Sequence, residues 1–496
     1  MARYKGSDAL VGQGLFLSVQ LKEQLLPGSF EQMLDEIIDK KIDMSIFDRK
    51  YNNDQFGARA IPPSVLLKLV IYGYSKGLTS SRELWELNRH NMVAKALTGG
   101  MDIHWTTIAS FVSGCPDEFS EVFVKVLMYC NELGLVGGET FAIDGYRLPS
   151  NASKELSGKH EDLEKKYALY CRMAERHAEK HRKKDALGEL DEHTRALAAK
   201  RQKRLQQKMS NIDNFFGNHE KKIGKNKQEL VSNVTDNESG LLRTPDEGYI
   251  QGYVGIAVAD AKAQVIVSAE AVGNSSECGY FPGVARECVA NLREAGVTKC
   301  EQKTILADGG YFSEDNLRVC EELGMEGIIP DSQEKKRSNV GVYSIDDFVY
   351  HEADDYYECP QGKKLSYKGV RQNGKRKAYR ASIRDCRECP CLSKCIKTKK
   401  EQNALKCGRA LTLPNDPSGS LCQKMREKFE QEEYKERYSC RFQIIEPVFA
   451  NIGYSKGMNR FNLRGKKKVN GQWLLFCMVH NLGKCLNARN KKKAAA

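Results

Sequence analysis

The sequence predicts an α/β core, a mixed sheet flanked by helices, with an all-α region ahead of it and two insertions within it. Three observations carry this expectation. Apolar strand-like runs alternate with helix-like segments between residues 249 and 330. Two apolar runs end in an aspartate followed by glycine, at Asp144 and at Asp308. Elsewhere the apolar residues recur at helical spacing.

Residues 1–135 read as a helical, DNA-binding domain. Pro62-Pro63 opens a segment with a broad apolar face, Ser64 to Tyr74, and Gly77-Leu-Thr-Ser-Ser then supplies a turn and caps for a helix over Arg82–Asn91. Short helices and tight turns fit a helix-turn-helix-like module, and fit other helical bundles equally well. Residues 136–155 hold the first core strand, whose β-formers run into Asp144. Residues 156–230 are rich in lysine, glutamate, arginine and alanine, with Leu163, Tyr167, Tyr170, Leu197 and Leu205 at helical spacing. They predict long charged helices with a solvated face, an antiparallel pair being one arrangement.

Residues 231–335 carry the rest of the core. Tyr249–Val267 reads as two strands about a turn at Asp260-Ala-Lys-Ala, Phe281–Ala295 as a helix, and Lys303–Asp308 as a strand. A helix over Ser313–Leu323 and a short strand at Gly327-Ile-Ile-Pro follow. Residues 336–430 lose that rhythm and hold a cysteine cluster among basic stretches. Residues 431–490 return to helix, with Trp473 and His480 as core, and the lysine-rich tail is expected to fray.

A chain of 496 residues exceeds one ordinary core, and 41% apolar with 29% charged residues describes a soluble globular protein. The net charge of +13, against 65 acids, favours a polyanionic partner, although a basic housekeeping enzyme has the same balance. Met1–Gly14 shows no secretory signal and no run is apolar enough for a bilayer, so a cytoplasmic location is expected. The 17 cysteines there are expected as thiols or metal ligands.

Asp144 and Asp308 share one context: an apolar strand delivers the carboxylate to its end, and glycine lets the chain turn beside it. Magnesium takes oxygen ligands and keeps several waters, so a few carboxylates and a phosphate suffice. An Asp-Gly turn alone is commonplace, so a third carboxylate matters. Glu446 is the candidate. Ile444, Val448 and Ile452 form a buried helix face with Glu446 at its margin, and Pro447 implies that Glu446 lies near a helix start or a kink. An ordinary helix-start acid has the same appearance.

Several blocks, in order, resemble the bacterial insertion-sequence DDE transposases with an RNase H-like catalytic core. Phe47-Asp48-Arg49-Lys50-Tyr51 through Arg89 is similar to their N-terminal helical domain. Phe141-Ala-Ile-Asp144-Gly with Asn151-Ala-Ser153 is similar to the first catalytic block. Tyr249-Ile-Gln-Gly-Tyr and Ala307-Asp308-Gly-Gly-Tyr are similar to mid-core segments. Tyr438-x2-Arg441-x4-Glu446-Pro-Val-Phe with Arg460-Phe-Asn-Leu-Arg464-Gly is similar to the glutamate block. The resemblance implies Asp144, Asp308 and Glu446 as a triad for Mg2+ or Mn2+, with Tyr438 and Arg441 on DNA near the cut. Arg460 and Arg464 lie in the same block and are expected on DNA with them. The lysine usual seven positions after the glutamate is Gly453 here, and Lys456 is the nearest substitute.

Cys386-Arg-Glu-Cys389 has the two-residue gap of a zinc ligand pair; Cys359 and Cys395 would complete a structural Zn2+ site and leave Cys391 spare. The alternative is five reduced thiols. Tyr367 to Arg380 reads as a basic hairpin on phosphates or as a solvated loop.

The resemblance implies cleavage at transposon ends and strand transfer into target DNA, with double-stranded DNA as partner and a homodimer on paired ends. A nuclease that never joins strands, and a non-catalytic DNA-binding descendant, are the alternatives. An assay for joined products separates the first, and intact carboxylates argue against the second.

Overall fold

The computed structural model describes residues 20–51, 59–187, 191–224, 228–244, 248–274, 277–297, 303–331, 343, 345, 347–371, 376–395, 407–414 and 420–495. The stretch Met1–Gly14, read above for a leader, lies outside them.

Helices α1 (Phe30–Lys40), α2 (Pro63–Ser75), α3 (Ser81–His90), α4 (Met92–Thr98), α5 (Trp105–Gly114) and α6 (Pro116–Glu132) form the N-terminal part. Their starts follow local chemistry. Ser29 and Asn91 cap α1 and α4, and α3 carries a full capping box between Ser80 and Glu83. Helix α2 is buried on nearly all sides, Lys68 included. That ammonium is answered by Asp35 at 2.6 Å and Asp39 at 2.7 Å, both on α1, so the buried charge is paired.

Strand β1 (Thr140–Pro149) opens a six-stranded sheet with β2 (Gly240–Thr244), β3 (Gly248–Asp260), β4 (Ile266–Val272), β5 (Lys303–Ala307) and β6 (Met325–Ile328). The order is β2-β3-β1-β5-β6, with β4 also paired to β3. The sheet is mixed: β1 runs antiparallel to β3 and parallel to β5, and β5 runs parallel to β6. Helices α7 (His160–Ala186) and α8 (Glu192–Asn218) pack on each other between β1 and β2, as the charge pattern suggested. Tyr167, Tyr170 and Leu205 share their small core, but Leu197 is exposed and Ala198 beside it is buried. Helix α9 (Phe281–Glu294) links β4 to β5, and α10 (Glu314–Glu322), capped by Ser313, links β5 to β6.

Residues 349–414 contain what the sequence reading missed, a five-stranded antiparallel sheet: β7 (Val349–His351), β8 (Tyr356–Glu358), β9 (Lys364–Arg371), β10 (Arg376–Ala381) and β11 (Ala410–Pro414). Phe348, Leu365, Tyr379, Ala381, Leu411 and Leu413 make its core. The tyrosine-flanked basic stretch is the β9–β10 hairpin, with Tyr367 opposite Tyr379.

Helices α11 (Leu421–Glu430), α12 (Glu432–Ala450) and α13 (Lys466–Ala495) close the chain. Helix α13 packs on α6 and covers β4. There Asn481 exchanges two 2.8 Å hydrogen bonds with the Ile266 backbone, and Asn470 accepts from Ala271 N at 2.8 Å. These side chains satisfy backbone groups that an edge strand otherwise leaves unpaired. Trp473 and His480 are buried in the core, as expected. The lysine tail does not fray: α13 stays helical through Ala495. Among the described residues, no helix is long and apolar enough to cross a membrane.

Pro447 does not mark a helix start. It lies deep inside α12 and is followed by a π-helical turn, Asn451–Ser455. A proline there leaves the carbonyl of Gln443 without its helical donor. The side chain of Gln264, at the β3–β4 turn, supplies one instead, donating Nε2 to Gln443 O at 2.8 Å. Helix α12 therefore continues through Pro447, and Glu446 stands in its later turns.

Candidate active site

The ladder between β1 and β5 ends at Ile143 opposite Ala307. The next residue in each is an aspartate, so Asp144 and Asp308 stand side by side. Asp308 follows the end of β5 as expected, but Asp144 is not at a strand end, because β1 continues to Pro149 in register with β3, Asp144 opposite Ala257. Paired strands lie about 4.8 Å apart, close enough for the two carboxylates to share one ion. Asp144 Oδ1 accepts from Gly145 N at 2.8 Å, and Asp308 accepts from Gly310 N. Asp308 is thus oriented by the turn that follows it, and Asp144 by the next residue of its own strand.

Helix α12 packs across β1, β3 and β5. Its Arg441 is only 5% exposed and donates Nη1 to Asp144 Oδ2 at 2.9 Å. Burial opposes the Arg441 charge, but the hydrogen bond and charge of Asp144 outweigh it and hold the guanidinium protonated. Tyr438, one turn earlier, is half-buried with its ring beside Arg441, 5.9 Å away. Burial raises the Tyr438 phenol above its usual range, and Asp308 and Asp144 add to that.

The structure places Glu446 differently from the two aspartates. It is exposed, while Ile444, Ile445 and Val448 face the core. Helical geometry puts it about 140° around α12 from Arg441. Among the described residues, no group of three or more His, Cys, Asp or Glu side chains is gathered to hold a metal ion. The oxygen donors of Asp144 and Asp308 suit a hard divalent cation, and Glu446 does not stand with them in this conformation.

The remaining residues of the glutamate block meet the first block in space. Arg464 donates Nε to Asn151 O at 2.6 Å, Asn151 donates Nδ2 to Asn462 O at 3.1 Å, and Phe461 N donates to Pro149 O at 2.9 Å. Arg460 is exposed. Gly453 lies in the π-helical turn against Tyr146, where a Cβ would stand 2.8 Å from Tyr146 Cζ. A lysine at that position would therefore displace the Tyr146 ring, which stacks on Phe449 at 5.4 Å. Lys456 ends the same turn half-buried, and burial, then the charge of Lys76, lowers its pKa.

Sequence reasoning passed over Glu277. Tyr311 donates its hydroxyl to Glu277 Oε2 at 2.9 Å, and Arg147 Nη2 lies 3.7 Å from Oε1. Burial raises the Glu277 pKa, and the charges of Asp144 and Asp308 raise it further. Its only local signal is an acid ahead of a helix, which many helices have.

In the five-stranded sheet, Cys359, Cys386, Cys389 and Cys395 line one cavity of about 30 Å3, with Phe348, Leu365 and Arg409. Cys391 is not among the lining residues. Burial raises the Cys386 and Cys395 thiols, and neighbouring cysteines contribute to both shifts. The four sulfurs do not converge as tightly as a ligand set, but they are the four that the spacing selected. Every described cysteine is a free thiol.

Two family models match the chain. Residues 19–113 match one described as Transposase domain (DUF772), and residues 358–486 match one described as Transposase DDE domain. The first covers the N-terminal helices; the second covers the four cysteines, Tyr438, Arg441 and Glu446. Asp144 and Asp308 lie between the matched segments. No curated protein matches the chain. The two matches bear out the resemblance to insertion-sequence DDE transposases.

Proposed function

From a chain matched near both ends by transposase families, we propose a DNA transposase that cleaves the ends of its element and transfers them into target DNA. The register that sets Asp144 beside Asp308 carries this reading. Together with the mixed order of the six strands, it supports an RNase H-like core for residues 136–155, 231–335 and 431–490. The helices of residues 1–135 would bind DNA, and residues 156–230 and 336–430 would be insertions into the core.

Asp144 and Asp308 would hold Mg2+ or Mn2+, and Glu446 would join them once DNA is seated. The cation supplies charge for the attacking and leaving oxygens of an in-line displacement. Water attacks a phosphodiester, the bond to the 3′ oxygen breaks, and that oxygen leaves as a hydroxyl. The freed hydroxyl then attacks a target phosphodiester and displaces the target's own 3′ oxygen. Arg441 neutralises Asp144 while the site awaits its cation, and with Tyr438 it borders the path of the DNA. Lys456, Arg460 and Arg464 would contact phosphates. Paired ends call for a dimer, and nucleoid DNA in the cytoplasm would be the setting.

The test uses the element's terminal repeats with Mg2+. The wild type is expected to nick the ends and give joined products, and Asp144→Asn or Asp308→Asn to lose both by about a thousandfold or more. Full cleavage by either variant would sink the assignment. Cleavage without joined products would favour a nuclease.

We further propose that Cys359, Cys386, Cys389 and Cys395 bind a structural zinc ion. Their shared cavity supports it, and thiolates at such spacing are established tetrahedral ligands.

A further inference from the structure

Glu277 belongs to none of the motifs above, yet its carboxylate is wedged between strand β1 beside Asp144 and the turn that follows Asp308. On one side Tyr311, three residues past Asp308 and 2% exposed, donates to Oε2 at 2.9 Å. On the other lies Gly145, the residue after Asp144. A Cβ on Gly145 would stand 2.5 Å from Glu277 Cδ and 2.6 Å from Val254 Cγ1, so only glycine leaves room for the carboxylate. Arg147, 3.7 Å from Oε1, is itself anchored by donating Nη1 to Arg243 O at 2.8 Å. Buried Asn316 ties the segment that carries Glu277 to the turn after Asp308, donating Nδ2 to Cys278 O at 3.1 Å and to Tyr311 O at 2.8 Å.

We propose that Glu277 is a positioning residue, bracing the Asp308–Tyr311 turn against strand β1 at Gly145 and Arg147 and so setting the separation at which the two aspartates take a divalent cation. The need for a brace follows from the ladder. Pairing of β1 with β5 stops at Ile143 and Ala307. Asp144 is still held in β1 by pairing with β3, but Asp308 lies past the end of β5, where the sheet no longer fixes its distance from Asp144. Groups that orient metal-binding carboxylates alter affinity without touching the ion. Glu277 has a partner on each side of the pair, which suits it to that task.

The inference rests on reading Asp144 and Asp308 as a cation site, and its test separates the two. The probe is Mn2+, titrated into the full chain without DNA and followed by the electron paramagnetic resonance of free Mn2+, with thermal unfolding in parallel. Glu277→Ala is expected to weaken Mn2+ binding about tenfold or more with little change in the unfolding midpoint. Glu277→Gln keeps an oxygen for Tyr311 to donate to and is expected to bind Mn2+ nearly as the wild type does. Tyr311→Phe removes the hydrogen bond from the other side and is expected to weaken binding in the direction of Glu277→Ala; it stands in for that variant should the alanine chain fail to fold. Wild-type Mn2+ affinity in Glu277→Ala and Tyr311→Phe overturns the proposal. So does a loss in Glu277→Gln as large as in Glu277→Ala, because charge and not bracing would then be the contribution. Undiminished Mn2+ binding by Asp144→Asn would instead remove the cation site itself.

Discussion

Arg441 Nη1 donates to Asp144 Oδ2 at 2.9 Å, joining α12 to the middle of β1 across 297 residues of sequence. The arginine is buried and the aspartate is 26% exposed at its side chain. The pair thus sets a cation drawn from the protein itself against the Asp144 carboxylate.

Removing that guanidinium should leave Asp144 without its counter-charge. Arg441→Ala is expected to cost about 2 kcal/mol, below the figure for a fully buried pair because Asp144 is partly hydrated. Added Mg2+ should raise the unfolding midpoint of Arg441→Ala more than that of the wild type, since the cation replaces the lost charge. Equal Mg2+ shifts in the two proteins would show that the cation does not sit at Asp144.

The hydrogen bond from Gln264 to Gln443 O should be coupled to Pro447. Gln264→Ala leaves that carbonyl unsatisfied and is expected to cost about 1–2 kcal/mol. In a Pro447→Ala background the new backbone N–H can bond Gln443 O, and the same Gln264→Ala change should cost about 1 kcal/mol less. Denaturant unfolding of the four proteins measures the difference, and strict additivity would refute the coupling.

His480 should make stability depend on pH. It is buried, with Nε2 at 2.8 Å from Gln264 O, and burial first of all lowers its pKa from 6.5 to about 4. The folded pKa is the lower one, so the neutral ring's contribution is complete above pH 6.5 and is lost as pH falls towards 4. The full effect is about 3 kcal/mol. Glu287, raised to about 7 mainly by burial, acts in the opposite sense, so the wild-type slope alone does not isolate the histidine. The difference in unfolding free energy between wild type and His480→Gln, followed from pH 7 to pH 4.5, should shrink as the pH falls. A constant difference would refute the assignment.

The cysteine cavity should hold one zinc ion per chain by elemental analysis. Cys386→Ser and Cys395→Ser are expected to lose the ion and unfold residues 349–414 at lower temperature, whereas Cys391→Ser keeps both properties. Zinc retained in Cys386→Ser, or absent from the wild type, would leave the cluster as free thiols.

Several of these features could be read before any coordinates. The strand-Asp-Gly pattern marked Asp144 and Asp308, capping residues marked α3, and cysteine spacing selected the four thiols that share a cavity. The sheet of β7–β11 stayed hidden because its strands mix tyrosines with lysines and arginines, as in Lys364–Arg371, and bury few side chains; an apolar period is then too weak to see. Pro447 pointed to a helix start or a kink beside Glu446 because proline seldom continues a helix, and Gln264, distant in sequence, made the exception.

The sequence by itself determined which residues could carry the chemistry and which local segments turn, cap or extend, since those depend on neighbours within a few positions. Tertiary structure alone decided that Arg441 pairs with Asp144, that Glu446 is exposed and not gathered with the aspartates, and that Glu277 stands between β1 and the turn after Asp308. Each of those outcomes depends on strand register or helix rotation, and both are set by packing between segments that lie far apart along the chain.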